Sequence, residues 1–245
     1  MSGNAARMSA GANEPGHNPV SAYTRRAWIV LWKDLLIERR AKEHANALLF
    51  FCVLLLFLFQ FALGPDRDRL AAAVPGLLWL GFILAGLLGL GRSFLGEREN
   101  DCWEGLRLTP GDKSAIYLGK LAGNCVLMTA VEIILVVLFG VFYDVDLWTP
   151  AAPLALVLAL GTIGLAAVGT LFAAMTTQVR ARELLFPVLL LPVQVPLLLA
   201  TVSATQALLL GQPLADVAHW LKLLAGADAV YVTIGLLTFE FVLEG

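Results

Sequence analysis

The chain has 245 residues, 59% of them hydrophobic and 15% charged, with a net charge of -2 and a mean hydropathy of +0.79. A soluble domain is about 45 to 50% apolar and about 25% charged, so this balance excludes an ordinary globular fold and points to a polytopic membrane protein. At roughly 20 residues per crossing there is room for about six spans and for no separate soluble domain.

Residues 1–21 are rich in Gly, Ala, Asn, Pro and Ser and hold no apolar core of a cleavable signal. They read as a disordered tail, which leaves the first span to act as an uncleaved membrane signal. Residues 22–245 read as one permease domain. Its first element, residues 28–40 (WIVLWKDLLIERR), sets Trp28, Leu31, Trp32, Leu35 and Leu36 at helical spacing, with Lys33, Glu38, Arg39 and Arg40 on the other side. That pattern predicts an amphipathic helix lying in the interface; the alternative is a cytoplasmic extension of span one.

Span one is expected over about residues 45–63, ending at the turn signal Gly64-Pro65-Asp66, with residues 66–74 as a loop and span two over about 75–90. In span two, Gly81, Ala85 and Gly89 share a face that a neighbouring helix can approach closely. Spans three and four are expected over about 119–142 and 154–175, the latter with a small-residue stripe of Ala166, Thr170 and Ala174. Span five, about 184–210, carries Pro187, Pro192 and Pro196; each removes a backbone donor, so this helix is expected to be kinked or broken. Residues 211–222 read as an amphipathic loop around Trp220, and span six covers about 225–243.

Orientation follows from the cations. With a cytoplasmic N-terminus, fourteen of the 17 lysines and arginines lie on the cytoplasmic side and only Arg67, Arg69 and Lys222 on the other. The positive-inside rule then puts both termini, and the long polar segment of residues 92–120, in the cytoplasm. This segment, with a coupling loop over 92–118, cannot lie in hydrocarbon, where each charge costs at least ~2.5 to 3.5 kcal/mol. Its alternating charges and its aromatic residue read as a docking surface for a soluble partner, through Arg92, Glu97, Arg98, Glu99, Asp101, Trp103, Glu104 and Arg107, with Trp103 as the anchor. The alternative is a solvated loop.

Inside the membrane the sharpest residue is Glu132, near the bilayer middle in span three. It marks either a site of conformational coupling or a polar pathway, or a protonated carboxyl hydrogen-bonded to a neighbouring helix. Gln194 in span five is a candidate partner. The three cysteines form no CxxC pair, no two of His17, His44 and His219 have ligand spacing, and neither GxSxG nor GxxxxGK[ST] occurs. No metal site, bound cofactor, nucleotide site or catalytic residue is therefore expected in this chain, which is not expected to be an enzyme, and no nucleic-acid partner is expected.

The wording of several segments is more specific than the layout: Trp32-Lys33-Asp34-Leu35 with Glu38, then Phe61-Ala62-Leu63-Gly64-Pro65, then the run from Gly86 to Phe94, then Glu97, Glu104-Gly105-Leu106, Pro110 and Leu118-Gly119-Lys120-Leu121. Together they resemble the haem exporter B (CcmB) family of cytochrome c maturation, densely up to Glu132 and more thinly beyond. The resemblance implies an all-α, ABC-2-type permease-like subunit of six transmembrane helices in the bacterial inner membrane, present in two copies. It would bind the ATPase subunit CcmA, through which alone ATP enters, and associate with CcmC and CcmD. Hydrolysis would be linked to freeing the haem-loaded chaperone CcmE from CcmC. The alternatives are an ABC-2-type exporter permease for a lipid or another small molecule, and a non-transporting assembly scaffold.

Overall fold

Long apolar runs fold as helices because hydrocarbon offers no partner for an unpaired backbone group. The computed structural model describes residues 19–40, 42–64, 66–94, 112–177 and 181–244, with the isolated positions Glu97, Gly105, Leu108 and Val179. Among these the chain forms seven helices: α1 (Pro19–Arg40), α2 (Lys42–Leu63), α3 (Arg67–Leu90), α4 (Ser114–Tyr143), α5 (Ala151–Thr176), α6 (Arg182–Leu209) and α7 (Leu214–Glu244). Five of them, α3 to α7, are long and apolar enough to cross a membrane, while α2 has a shorter apolar run, Phe50–Leu63. The chain is thus a multi-pass membrane protein, and the expected sixth crossing rests on α2. Of the expected tail, residues 1–18 lie outside the described residues; helix α1 begins at Pro19.

Helix extents differ from expectation. Helix α3 takes in residues read as a loop, because the Asp66 carboxylate caps it by accepting the amides of Asp68 and Arg69. Helix α7 takes in the amphipathic stretch read as a loop: its apolar stripe finds cover, with Val217 and Leu224 fully buried. Helix α6 runs unbroken through Pro187, Pro192 and Pro196. Beside the carbonyl freed by Pro196, the Tyr231 hydroxyl of α7 donates to the Val193 carbonyl at 3.0 Å, the kind of protein cover that lets a membrane helix keep its prolines.

Helix α5 touches α3, α4, α6 and α7. Its predicted stripe is buried, Ala166, Thr170 and Ala174 alike, and its glycines let large side chains reach the backbone. At Gly161 the edge of Trp79 takes the space of a Cβ, and Trp79 Nε1 donates to Thr205 Oγ1 at 2.9 Å, locking α3 to α6 across α5. The stripe on α3 is only partly used. Gly81 and Ala85 are covered, but Gly89 faces a cavity.

Helix α1 departs furthest from expectation. Tyr23 meets Ser114, Ala27 and Val30 meet Gly119, and Leu31 and Asp34 meet Gly123, so α1 runs alongside the first turns of α4 and in the same direction. The expected apolar face is divided: Leu31 turns to α4, whereas Trp28 and Trp32 stack on each other and stay exposed. Helix α4, at 30 residues, is about 45 Å long against about 30 Å of hydrocarbon. Its first turns are therefore free to project beyond the bilayer, and α1 packs there.

Candidate functional site

Four charges from three segments meet where α1 lies on α4. Lys33 Nζ stands 2.5 Å from Glu97 Oε1 and 3.2 Å from Asp34 Oδ1; Lys120 Nζ stands 2.7 Å from the same Glu97 oxygen and 3.0 Å from Asp34 Oδ2. The result is a closed ring of alternating sign in which each charge has two opposite neighbours. Its sum is zero, which is what makes burial tolerable: Glu97 and Lys120 are 6% and 1% exposed. Lys120 also donates to the Ser93 carbonyl at 2.6 Å and lies over the Phe94 ring at 4.7 Å. One turn further, Asn124 Nδ2 donates to Ser93 Oγ and Thr170 Oγ1, extending the polar contact into α5.

Burial by itself would raise the Glu97 carboxyl, but the Lys120 and Lys33 ammonium groups outweigh it and hold it below the usual carboxylate value. Burial would likewise lower Lys33, but Glu97 and Asp34 outweigh it and push its ammonium up. Both shifts favour the charged forms of Glu97 and Lys33. Above it opens a cavity of about 390 Å³ on whose lining Glu38, Gly89, Arg92 and Asn124 join the ring.

The residues expected to form the docking surface divide accordingly. Arg92 is exposed on the cavity wall. Glu97, expected to face a partner, is turned inward because two lysines compensate its burial. Arg98, Glu99, Asp101, Trp103, Glu104 and Arg107 lie outside the described residues. Within the same segment, Leu108 is 80% exposed. At its far end Lys113 pairs with Glu244 at 2.9 Å, joining the segment to the last turn of α7.

Inside the bundle Glu132 is 4% exposed and accepts from Thr162 Oγ1 of α5 at 2.9 Å, while its Oε1 has no partner among the described residues. The expected pairing with Gln194 does not form. Gln194, fully buried, donates instead to the Gly164 carbonyl at 3.2 Å. Asp228 of α7 also presses on Gly164, only 6% exposed and with neither carboxyl oxygen paired among the described residues. Sequence reasoning passed over Asp228, although a lone acid in an apolar run was the signal available. It also passed over Lys33, Asp34 and Lys120 as site residues, yet all three stand in the segments that carried the family resemblance.

Comparison with known proteins agrees with that resemblance. The sequence model of the family described as CcmB protein matches residues 25–244. A Pseudomonas aeruginosa protein named Heme exporter protein B is 33% identical over 189 residues, covering 76% of this chain and 82% of its own length. Its namesake from Bradyrhizobium diazoefficiens is 29% identical over 179 residues, covering 73% and 80%. The Escherichia coli K12 protein of that name aligns over 101 residues at 31% identity, covering 39% and 46%.

Proposed function

The chain belongs to the CcmB family, and on that premise we propose that it is the membrane subunit of an ABC-type haem-export complex of cytochrome c maturation. In this reading it couples ATP hydrolysis by the separate subunit CcmA to movement in the bacterial inner membrane, and the movement frees haem-loaded CcmE from CcmC. CcmC and CcmD are its membrane partners, and two copies work together. The relatives' printed name supports the haem-export setting; the ion ring supports the coupling.

The observation that carries the reading is the grip on Glu97. A loop that merely hung in solvent could be pulled by a motor without moving anything. Here Glu97 is held by Lys33 of α1 and Lys120 of α4, and Lys113 by Glu244 of α7, so a displacement of the segment is passed to three helices at once. In this reading docking falls to Arg92, Arg98, Glu99, Asp101, Trp103, Glu104 and Arg107, and transmission to the ring. In this reading the bundle makes six crossings in an ABC-2-type arrangement. The contacts Tyr23 with Ser114 and Lys113 with Glu244 set the start of α1, the start of α4 and the end of α7 at one end, while Tyr143 donates to the Leu56 carbonyl towards the other. That parity supports α2 as a crossing, and the positive-inside reading puts both termini in the cytoplasm.

Transport of a small molecule through this chain alone is the less supported alternative. Gln194 is sealed in the bundle, and the groove beside Glu132 is lined mainly by apolar side chains. The test is co-purification of CcmA with a chain carrying Glu99→Lys and Asp101→Lys. CcmA should be lost by about tenfold or more, with the membrane subunit still eluting as a folded species. Undiminished co-purification would remove the docking segment from the account.

A further inference from the structure

The half of α4 away from the ion ring carries a groove, about 330 Å³ in volume, between α4 and α5. The coupling reading makes no use of it. Its walls are aliphatic, among them Val136, Leu154 and Leu158, and Trp148 stands at its mouth. Along α5 it is edged by Ala151, Ala155 and Ala159, spaced four apart and all exposed. Small residues at that spacing let a second helix backbone come close, which is how helices pair where lipid removes the hydrophobic drive.

A second observation says what kind of helix. Glu132 is on the groove's lining, and while Thr162 satisfies one carboxyl oxygen, the buried Oε1 finds no donor among the described residues. A polar atom left unpaired in a low-dielectric interior is costly, and the cost is recovered when a donor is brought to it. We propose that the groove seats a transmembrane helix of another protein, presenting a small-residue face and a hydroxyl or carboxamide that donates to Glu132. Eleven residues separate Glu132 from the end of α4 at Tyr143, about 16 Å, which places that donor about three turns into the partner helix.

Other occupants fit less well. An acyl chain would fill the walls but bring no donor to that depth. A second copy using the same groove about a two-fold axis would set two Glu132 carboxyls towards each other, like charges when ionised and less favourable than a neutral hydroxyl or carboxamide.

The test uses the full-length protein in phosphatidylcholine vesicles with two synthetic helices of about 23 residues. Both carry a Gly-x-x-x-Ala face in a Leu-rich host and differ only in Asn or Leu at the donor position; binding is read by energy transfer to a dye at the protein's C-terminus. The Asn helix should bind about three- to tenfold more tightly. The advantage should vanish in Glu132→Leu, and binding of both helices should vanish in Ala155→Trp, where the added ring fills the groove from an exposed position. Equal affinities for the wild-type protein, or an advantage that survives Glu132→Leu, would overturn the proposal. Disulfide formation between two Ala155→Cys copies that excludes the peptide would assign the groove to self-association and overturn it equally.

Discussion

Lys120 shows how much one side chain organises. It has two carboxylates, a carbonyl and an aromatic face for partners while almost wholly buried. Removing one partner of a buried ion pair leaves the other uncompensated at about 3 to 5 kcal/mol, so Lys120→Met should destabilise on that order. Adding Glu97→Gln should recover part of the loss, a non-additivity of about 1 kcal/mol or more that a double-mutant cycle in detergent would register. The pH dependence has a definite sign. Glu97 is held below its ordinary value of 4.5, so its contribution is full above that value and fades as pH falls through the lower folded one. Lys33 is held above 10.5, so its contribution is full below that value and fades as pH rises through the higher folded one. The difference in unfolding temperature between wild type and Glu97→Gln should therefore be flat from about pH 5 to 10 and shrink on either side. None of this could be read from the one-dimensional pattern. Lys120 closes the polar segment read as a docking surface, and its carboxylate partners Asp34 and Glu97 meet it only in the fold.

Among the elements, the bundle helices were legible because apolar length alone specifies them, and their ends were less so. An acidic cap lengthened α3 and a covered amphipathic face lengthened α7, effects that depend on a single side chain or on a neighbour. Helix α1 was legible as amphipathic but not in its placement, which is decided by two glycines on another helix. A Cβ at Gly119 would stand 2.6 Å from the Ala27 carbonyl and 2.7 Å from Val30 Cβ. Gly119→Val should therefore prise α1 from α4 at a cost of about 1 to 3 kcal/mol. Trypsin cleavage after Arg25 and Arg26 should accelerate while α5 and its neighbours keep their thermal transition; an unchanged cleavage rate would mean that α1 is not held by this contact.

For the whole molecule, the arrangement is a one-ended machine. The charged ring, the exposed part of the 92–120 segment and the last turn of α7 gather at one end, while the groove beside Glu132 lies towards the other. The positive-inside reading assigns fourteen of the 17 lysines and arginines to the side of the N-terminus, so a reporter fused after Gly245 should be active only in the cytoplasm; activity only outside would invert the map. The central claim is that the ring transmits what the docking segment receives, and a reconstituted complex with CcmA, CcmC, CcmD and haem-loaded CcmE tests it most directly when this chain carries Lys120→Met. The account predicts that CcmA stays bound and hydrolyses ATP while CcmE is no longer freed from CcmC. Release of CcmE at the wild-type rate for each ATP consumed would contradict it.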